Sequence, residues 1–327
     1  EVAQRISNAY GEFGVGKGDR VAFLCRSSPP FVASLLATSK IGAIFVPLHV
    51  GQTIEKIKAM ILKTKPKVVV YDSEFSDIFK SLWDDIKDIV RAAFVLGSKT
   101  MNYEFEFEEL VKNFPAHEPD VDVYEDDKAA VVFTSGTTGE PKGIVRLHRT
   151  CVDWATIFSH FLLRGIGPGD RLLNAFVPSF IGYYNLLLPV LNSGATAILL
   201  KKFDVKEWLK TVEEERATHL FLVPTMWRMV LKEDLKSYDL SSVKYIGFAG
   251  EAMDPETLKK LKTICPVIVQ GYTSTESGIG TSMWENEMVG ERIRSVGKPM
   301  PGMDIRILRL REEGERPSLN DLSLIHI

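Results

Sequence analysis

One stretch near the middle of the chain concentrates groups that can hold phosphate: Thr134-Ser-Gly-Thr-Thr-Gly-Glu-Pro-Lys-Gly143. It follows an apolar run at 129–133 that reads as a strand. The hydroxyls of Thr134, Ser135, Thr137 and Thr138 alternate with Gly136 and Gly139, and Lys142 closes the set. A loop of this kind at the C-terminal end of a strand aims successive N–H and O–H groups at phosphate oxygens, with glycine permitting close approach. Ligands of open α/β sheets bind at that end of the strands. The loop is not a Walker A loop: Gly136 and Gly139 enclose two residues where that motif has four, and Lys142 precedes Gly143 rather than Ser or Thr. Two other stretches offer complementary chemistry. Gly250, Glu251 and Ala252 follow an apolar strand at 244–248. Gly271, Tyr272, Thr273, Ser274, Thr275 and Glu276 follow another at 267–270. An aromatic ring, a hydroxyl and a carboxylate at the end of a buried strand outline a nucleotide site, although Tyr and Glu at strand ends are commonly just packed and solvated.

The segment 134–143 resembles the signature of the adenylate-forming superfamily, T-S-G-[ST]-T-G-x-P-K-G, and matches it at every defined position. That superfamily contains acyl-CoA synthetases, adenylation domains of peptide synthetases and beetle luciferases. The resemblance implies that 134–139 and Lys142 meet the β- and γ-phosphates of ATP, and that Gly250, Glu251 and Ala252 line the adenine. It implies that Tyr272 stacks on the adenine, Thr275 contacts the α-phosphate region and Glu276 holds Mg²⁺. The family pattern there is Y-G-x-T-E, and this chain departs from it at Thr273. Pro178-Ser-Phe-Ile-Gly-Tyr-Tyr-Asn185 occupies the place of the family's aromatic acyl-pocket motif, which often contains a histidine where this chain offers Phe180. Phe180, Tyr183 and Gly271 are the candidate acid-pocket residues, with core packing an equal reading for the aromatics. The implied activity is ATP-dependent activation of a small carboxylic acid as an acyl-adenylate, then thioester formation with coenzyme A. An aryl-acid ligase, an adenylation domain that loads a carrier protein, and a bare ATP- or AMP-binding module are the alternatives. Gly297-Lys-Pro-Met-Pro-Gly302 matches a further family segment that leads into a small β-barrel subdomain. A family T-G-D segment and a C-terminal domain with a catalytic lysine have no counterpart, so the chain reads as a truncated large domain. Residues 322–327 resemble translated adaptor sequence.

The elements that must position these loops are organised by a duplication. Gly14-Val-Gly-Lys-Gly-Asp-Arg-Val21 recurs as Gly165-Ile-Gly-Pro-Gly-Asp-Arg-Leu172, an offset of 151. Behind the first copy the chain reads strand 21–25, helix 31–41, strand 44–48, helix 54–64 and strand 68–71. Behind the second it reads strand 172–177, helix 184–191, strand 196–200, helix 205–216 and strand 220–223, an offset of 152 at both later strands. Strands alternating with helices imply mainly parallel sheets with right-handed crossovers. The expected fold is therefore α/β: two duplicated β-α-β-α-β subdomains plus the start of a β-barrel subdomain. The expected limits are 1–128, 129–290 with the nucleotide loops, and 291–327. A helix at 227–232 and one begun by Asp254-Pro255-Glu256 belong to the second unit, and the acidic stretch 118–127 reads as a solvated connector.

Composition excludes several classes. Of 327 residues, 45% are apolar and 25% charged, which supports a globular core. Forty basic against 43 acidic side chains, net −3, leave no broad electrostatic footprint for nucleic acid or anionic membrane. Cys25, Cys151 and Cys265 are scattered and odd in number, which suits a reducing compartment. Residues 172–200 carry no charge until Lys201 and are long enough to span a bilayer, but Asn174, Pro178, Gly182, Asn185, Pro189, Asn192 and Gly194 punctuate them. They read as strand, loop, helix and strand, and a cytosolic protein is expected. The oligomeric state is not legible.

Overall fold

A computed structural model describes residues 1–134 and 141–306. Helix α1 (Val2–Glu12) lays Ile6, Ala9 and Tyr10 into the first core. Strands and helices then alternate: β1 (Arg20–Leu24), α2 (Pro29–Lys40), β2 (Ile44–Pro47), α3 (Ile54–Thr64), β3 (Val68–Asp72) and α4 (Ser76–Ile86). After β4 (Ala92–Leu96), β5 (Glu104–Glu106) and α5 (Phe107–Asn113), a hairpin forms from β6 (Lys128–Thr134) and β7 (Lys142–Leu147). These strands make one sheet in the order β5-β4-β3-β1-β2-β6-β7, parallel except for β7. Val21, Val68, Val69 and Val70 are fully buried, as strands covered on both faces must be.

Helix α6 (His148–Ile157) and its π-helical extension at Phe158–Leu162 lead into the second half. There β8 (Arg171–Asn174), α7 (Ile181–Asn192), β9 (Thr196–Leu199), α8 (Val205–Glu214), β10 (His219–Leu222) and α9 (Pro224–Val230) follow. Then come β11 (Tyr245–Ala249), α10 (Pro255–Ile264), β12 (Ile268–Ser274), β13 (Gly278–Trp284) and β14 (Lys298–Pro299). The order is β14-β13-β12-β11-β10-β8-β9, with β13 and β14 antiparallel to their neighbours. Asp254 caps α10 by accepting the Thr257 N–H at 2.8 Å, with Pro255 in the first turn. The uncharged run at 172–200 is β8, α7 and β9, and no described helix is long and apolar enough to cross a membrane.

The duplication extends to atomic detail. The strand orders β4-β3-β1-β2 and β11-β10-β8-β9 correspond, and Arg20 faces Ile44 as Arg171 faces Thr196. In each turn the aspartate accepts a backbone N–H two glycines back: Gly16 to Asp19 at 2.9 Å, Gly167 to Asp170 at 3.2 Å. Gly14, Gly18, Gly165 and Gly169 take φ of 73°, 81°, 80° and 88°, a region closed to most side chains. Arg20 Nε donates to Thr64 O and Arg171 Nε to Glu215 O, both at 2.6 Å.

Two expectations are corrected. Strand β6 hydrogen-bonds to β2, so the hairpin on either side of residues 135–140 closes the first sheet rather than opening the second. The third strands correspond at an offset of 151, not 152: Val68 faces Val21 and His219 faces Leu172. The turns before them agree, with Lys65 and Arg216 both left-handed at φ 46° and 47°. Beyond β12, β13 and β14 extend the second sheet, and among the described residues no closed barrel is present, where only the start of one was expected. Residues 307–327, most of the unit expected at 291–327, lie outside them.

The two halves share a core. Tyr183, Tyr184 and Leu187 of α7 pack with Phe23, Phe31, Leu35 and Phe45 of the first half. Phe31 and Tyr183 meet edge to face at 5.9 Å, and the Tyr183 hydroxyl pairs with Ser27 Oγ at 2.9 Å. The acidic connector is tied down at the surface by Lys17 to Asp127 and Arg149 to Asp126, each at 2.7 Å.

Candidate functional site

All the motif loops lie at C-terminal ends of parallel strands. Thr134 ends β6 and faces Lys142, the first residue of β7, across the base of the hairpin. Ser135, Gly136, Thr137, Thr138 and Gly139 lie outside the described residues. The base is held from α3, where Lys63 Nζ donates to Pro141 O at 3.3 Å. Gly143 is required by packing, because a Cβ there would stand 2.8 Å from Val131 Cγ1.

Thr134 and Thr275 line one cavity of about 390 Å³, together with His49, Lys56, Ser179 and Phe180. These come from the ends of β6, β12 and β2, from the first turn of α3 and from the loop after β8, so the crevice lies between the two halves. Thr275 and Glu276 sit in a turn closed by Ser274 Oγ, which accepts the Ser277 N–H at 2.9 Å. Thr275 is half-buried and Glu276 exposed. Thr273, the departure from the family pattern, falls at a register shift between Tyr272 and Ser274, so the sequence change coincides with a bulge. Tyr272 is half-buried on β12 opposite Thr281.

A second, smaller cavity of about 190 Å³ adjoins the ends of β8, β10 and β11. Phe176, Ile181, Phe221, Val223, Gly250 and Thr273 line it, so its wall is largely apolar. Gly250 follows β11 with φ 91°, a conformation that favours glycine. The Glu251 carboxylate is turned to α9, accepting from Thr225 Oγ1 at 2.9 Å and Arg228 Nη2 at 3.1 Å. Glu251 and Ala252 are exposed.

The three acid-pocket candidates separate. Phe180 is 48% exposed and lines the larger cavity, edge-on to His49 at 4.7 Å. Tyr183 is fully buried in the shared core and is a packing residue. Gly271 lines neither cavity; it is buried under Leu162, whose Cδ1 would stand 2.8 Å from an added Cβ. Two residues were missed. His49 accepts the Gly51 N–H on Nδ1 at 2.8 Å, which leaves Nε2 as the protonated nitrogen of a neutral ring. Burial holds it below the usual histidine range. Its position just past β2 was the available signal. Arg146 on β7 is 7% exposed and carried none.

Among the described residues no group of three or more His, Cys, Asp or Glu could cage a metal ion. A lone exposed carboxylate such as Glu276 suits a Mg²⁺ ion that arrives with substrate phosphates and keeps most of its ligands there and in water. The donor set fits that kind of ion.

A family model described as AMP-binding enzyme matches residues 1–320. Among curated proteins, a probable CoA ligase of Humulus lupulus is 29% identical over 96% of this chain and 58% of its own length. A 3-hydroxybenzoate/4-hydroxybenzoate CoA ligase of Thauera aromatica is 29% identical over 93% of this chain and 58% of its own length. The chain thus spans little more than half of these relatives. An anthranilate CoA ligase solved with anthranoyl-AMP superposes with a TM-score of 0.86 at 23% identity, over 94% of this chain and 59% of that one. The N-terminal domain of FACL13 from Mycobacterium tuberculosis gives 0.83 at 24% identity, over 92% and 74%. With the signature loop, the doubled parallel sheets and the crevice in agreement, the chain belongs to the AMP-binding enzyme family.

Proposed function

We propose that this chain forms the nucleotide-binding part of an acid–CoA ligase. The observation that carries the reading is that Thr134 and Thr275, from two separate motifs, line one cavity at the strand ends of both sheets. In the proposed reaction a carboxylate oxygen of the acid attacks the α-phosphorus of ATP and the bond to the β-phosphate oxygen breaks, releasing pyrophosphate. The thiol of coenzyme A then attacks the acyl carbon and AMP leaves. Such transfers are catalysed mainly by positioning and charge neutralisation.

The Thr134 loop and Lys142 would hold the β- and γ-phosphates, while the Thr275 hydroxyl donates to an α-phosphate oxygen. Tyr272 would stack on the adenine, with the backbone at Gly250, Glu251 and Ala252 along its edge. Glu276 would hold a Mg²⁺ ion, whose positive charge would offset the negative charge that builds on the phosphate and leaving-group oxygens. The neutral His49 ring offers an Nε2–H donor beside Phe180 without adding charge. The acid's apolar body would enter the 190 Å³ cavity between Phe176 and Phe221, a volume suited to a single ring or short chain.

Calorimetry of the 327-residue chain with Mg·ATP should give saturable binding. Thr275→Val, which keeps the shape and removes the hydroxyl, should weaken it by about tenfold, the scale of one hydrogen bond to a charged group. Acid-dependent pyrophosphate exchange should favour single-ring aromatic and short aliphatic acids. Absence of nucleotide binding, or binding indifferent to Thr275→Val, would remove the reading.

A further inference from the structure

Arg146 lies on β7 and its guanidinium is almost wholly withdrawn from water. Among the described residues its Nε and Nη2 have no hydrogen-bond partner. Its one hydrogen bond among them is Nη1 donating to the main-chain carbonyl of Glu276 at 3.3 Å. Its flat face lies over the Trp154 ring, 4.2 Å from the centroid. The cavity beside it, about 90 Å³, is walled mostly by Leu35, Phe45, Ala155 and Leu188 and supplies no counter-charge. A buried charge with no ion pair among the described residues costs stability, so packing alone gives no reason for an arginine at this position.

Trp154 makes a second contact with the same turn. An added Cβ on Gly278 would stand 1.3 Å from Trp154 Cζ2, and Gly278 has φ 74°. Arg146 on β7 and Trp154 on α6 therefore grip Glu276 and Gly278 at both sides of one peptide segment. The hairpin of the first sheet reaches across the crevice to the turn that ends β12 of the second.

We propose that Arg146 is a positioning residue, which anchors the 274–278 turn so that Thr275 and Glu276 face the phosphate-binding cavity. The inference rests on the reading of those two residues as nucleotide contacts. Its arrangement is that of a group kept at the expense of stability because it orders a functional turn.

Arg146→Met tests it, since methionine keeps an unbranched stem and removes the charge. The thermal midpoint is expected to stay level or rise. Amide exchange at Ser277 and Gly278 should become faster, and Mg·ATP binding should weaken by about tenfold, as for loss of one charge-assisted contact. In a Glu276→Gln background the same substitution should weaken binding much less, because the two act as one unit. Arg146→Lys, which keeps the charge but not the planar fork, should fall between parent and Met variant. It also serves if the Met variant fails to melt cooperatively. A lowered midpoint with unchanged exchange at 277–278 would make Arg146 a structural residue and overturn the proposal, as would an equal loss of binding in both backgrounds. If the parent chain binds no Mg·ATP, the nucleotide reading fails by itself, and the exchange rates still decide whether Arg146 holds the turn.

Discussion

Glu276 stands at the tip of a turn whose backbone is gripped from behind while its carboxylate is exposed. Glu276→Gln keeps the shape and removes the charge. Adenylation, followed by acid-dependent pyrophosphate exchange in the ligase, should fall by about 10²-fold or more, the scale of one lost electrostatic stabiliser. The melting temperature should barely change, because the carboxylate makes no buried contact. At this scale the sequence pointed to residues the fold brings together where chemistry is local to a motif: Thr134 and Thr275 line one cavity. It left Tyr183 open, since an aromatic beside a pocket motif looks the same whether it lines the pocket or, as here, bonds to Ser27 in the core. Arg146 was invisible, because nothing in K-G-I-V-R-L tells which of its side chains will be enclosed.

Elements were legible where apolar runs and caps were strong: β1, β3, α10 and the β8-α7-β9 run all lie close to their expected places. The hairpin was read as a strand and a loop because Lys142–Leu147 mixes charge, glycine and apolar residues. Its sheet could not be read either, since β2 and β6 are joined by pairing across some eighty residues of chain. Strand β5 and its neighbours hold a different kind of element-scale device. Glu104 is buried, which alone would raise its pKa, but the N–H groups of Thr100 and Met101 and the Tyr71 hydroxyl more than offset this and hold it below the ordinary glutamate range. A carboxyl depressed in the folded state adds stability above its unfolded pKa and loses it as pH falls through the folded value. The β3-β4-β5 edge should therefore loosen only under acid, below about pH 4, where unfolded glutamates protonate. Glu104→Gln should cost about 1–3 kcal/mol at neutral pH, because a neutral amide gives up the charge-assisted bonds and, with its oxygen on the two N–H donors, must turn its NH₂ to the Tyr71 hydroxyl. It should also flatten the acid limb of the denaturation profile. Chemical denaturation at pH 7 and at about pH 3 measures both effects.

At the scale of the whole molecule, two parallel sheets sit either side of a crevice, and one core runs between them through α2 and α7. The duplication was legible from glycine turns and offsets, but the contact between the copies was not, because no local pattern records which faces meet. That contact has a property of its own. Phe31 and Tyr183, which pack against each other, hold equivalent places in the two copies, as do Leu35 and Leu187 in the same core. A residue touching its own counterpart marks the axis of a two-fold, isologous interface of the kind that joins identical subunits. The chain is, in this sense, a homodimer written as one polypeptide, with the linker between copies fixing a partnership that mass action would otherwise govern. Cleavage at the exposed Arg164–Gly165 turn should then convert an intramolecular contact back into an intermolecular one. The two pieces, made together, should co-purify and unfold with a midpoint that rises with concentration, which the intact chain should not show. Made separately, each should expose its half of the aromatic face around Phe31 or Tyr183 and aggregate. Two pieces that each stay soluble and monomeric would mean that the shared face is dispensable. If the face behaves as an interface, the crevice between the sheets is also the seam between two copies of one folding unit.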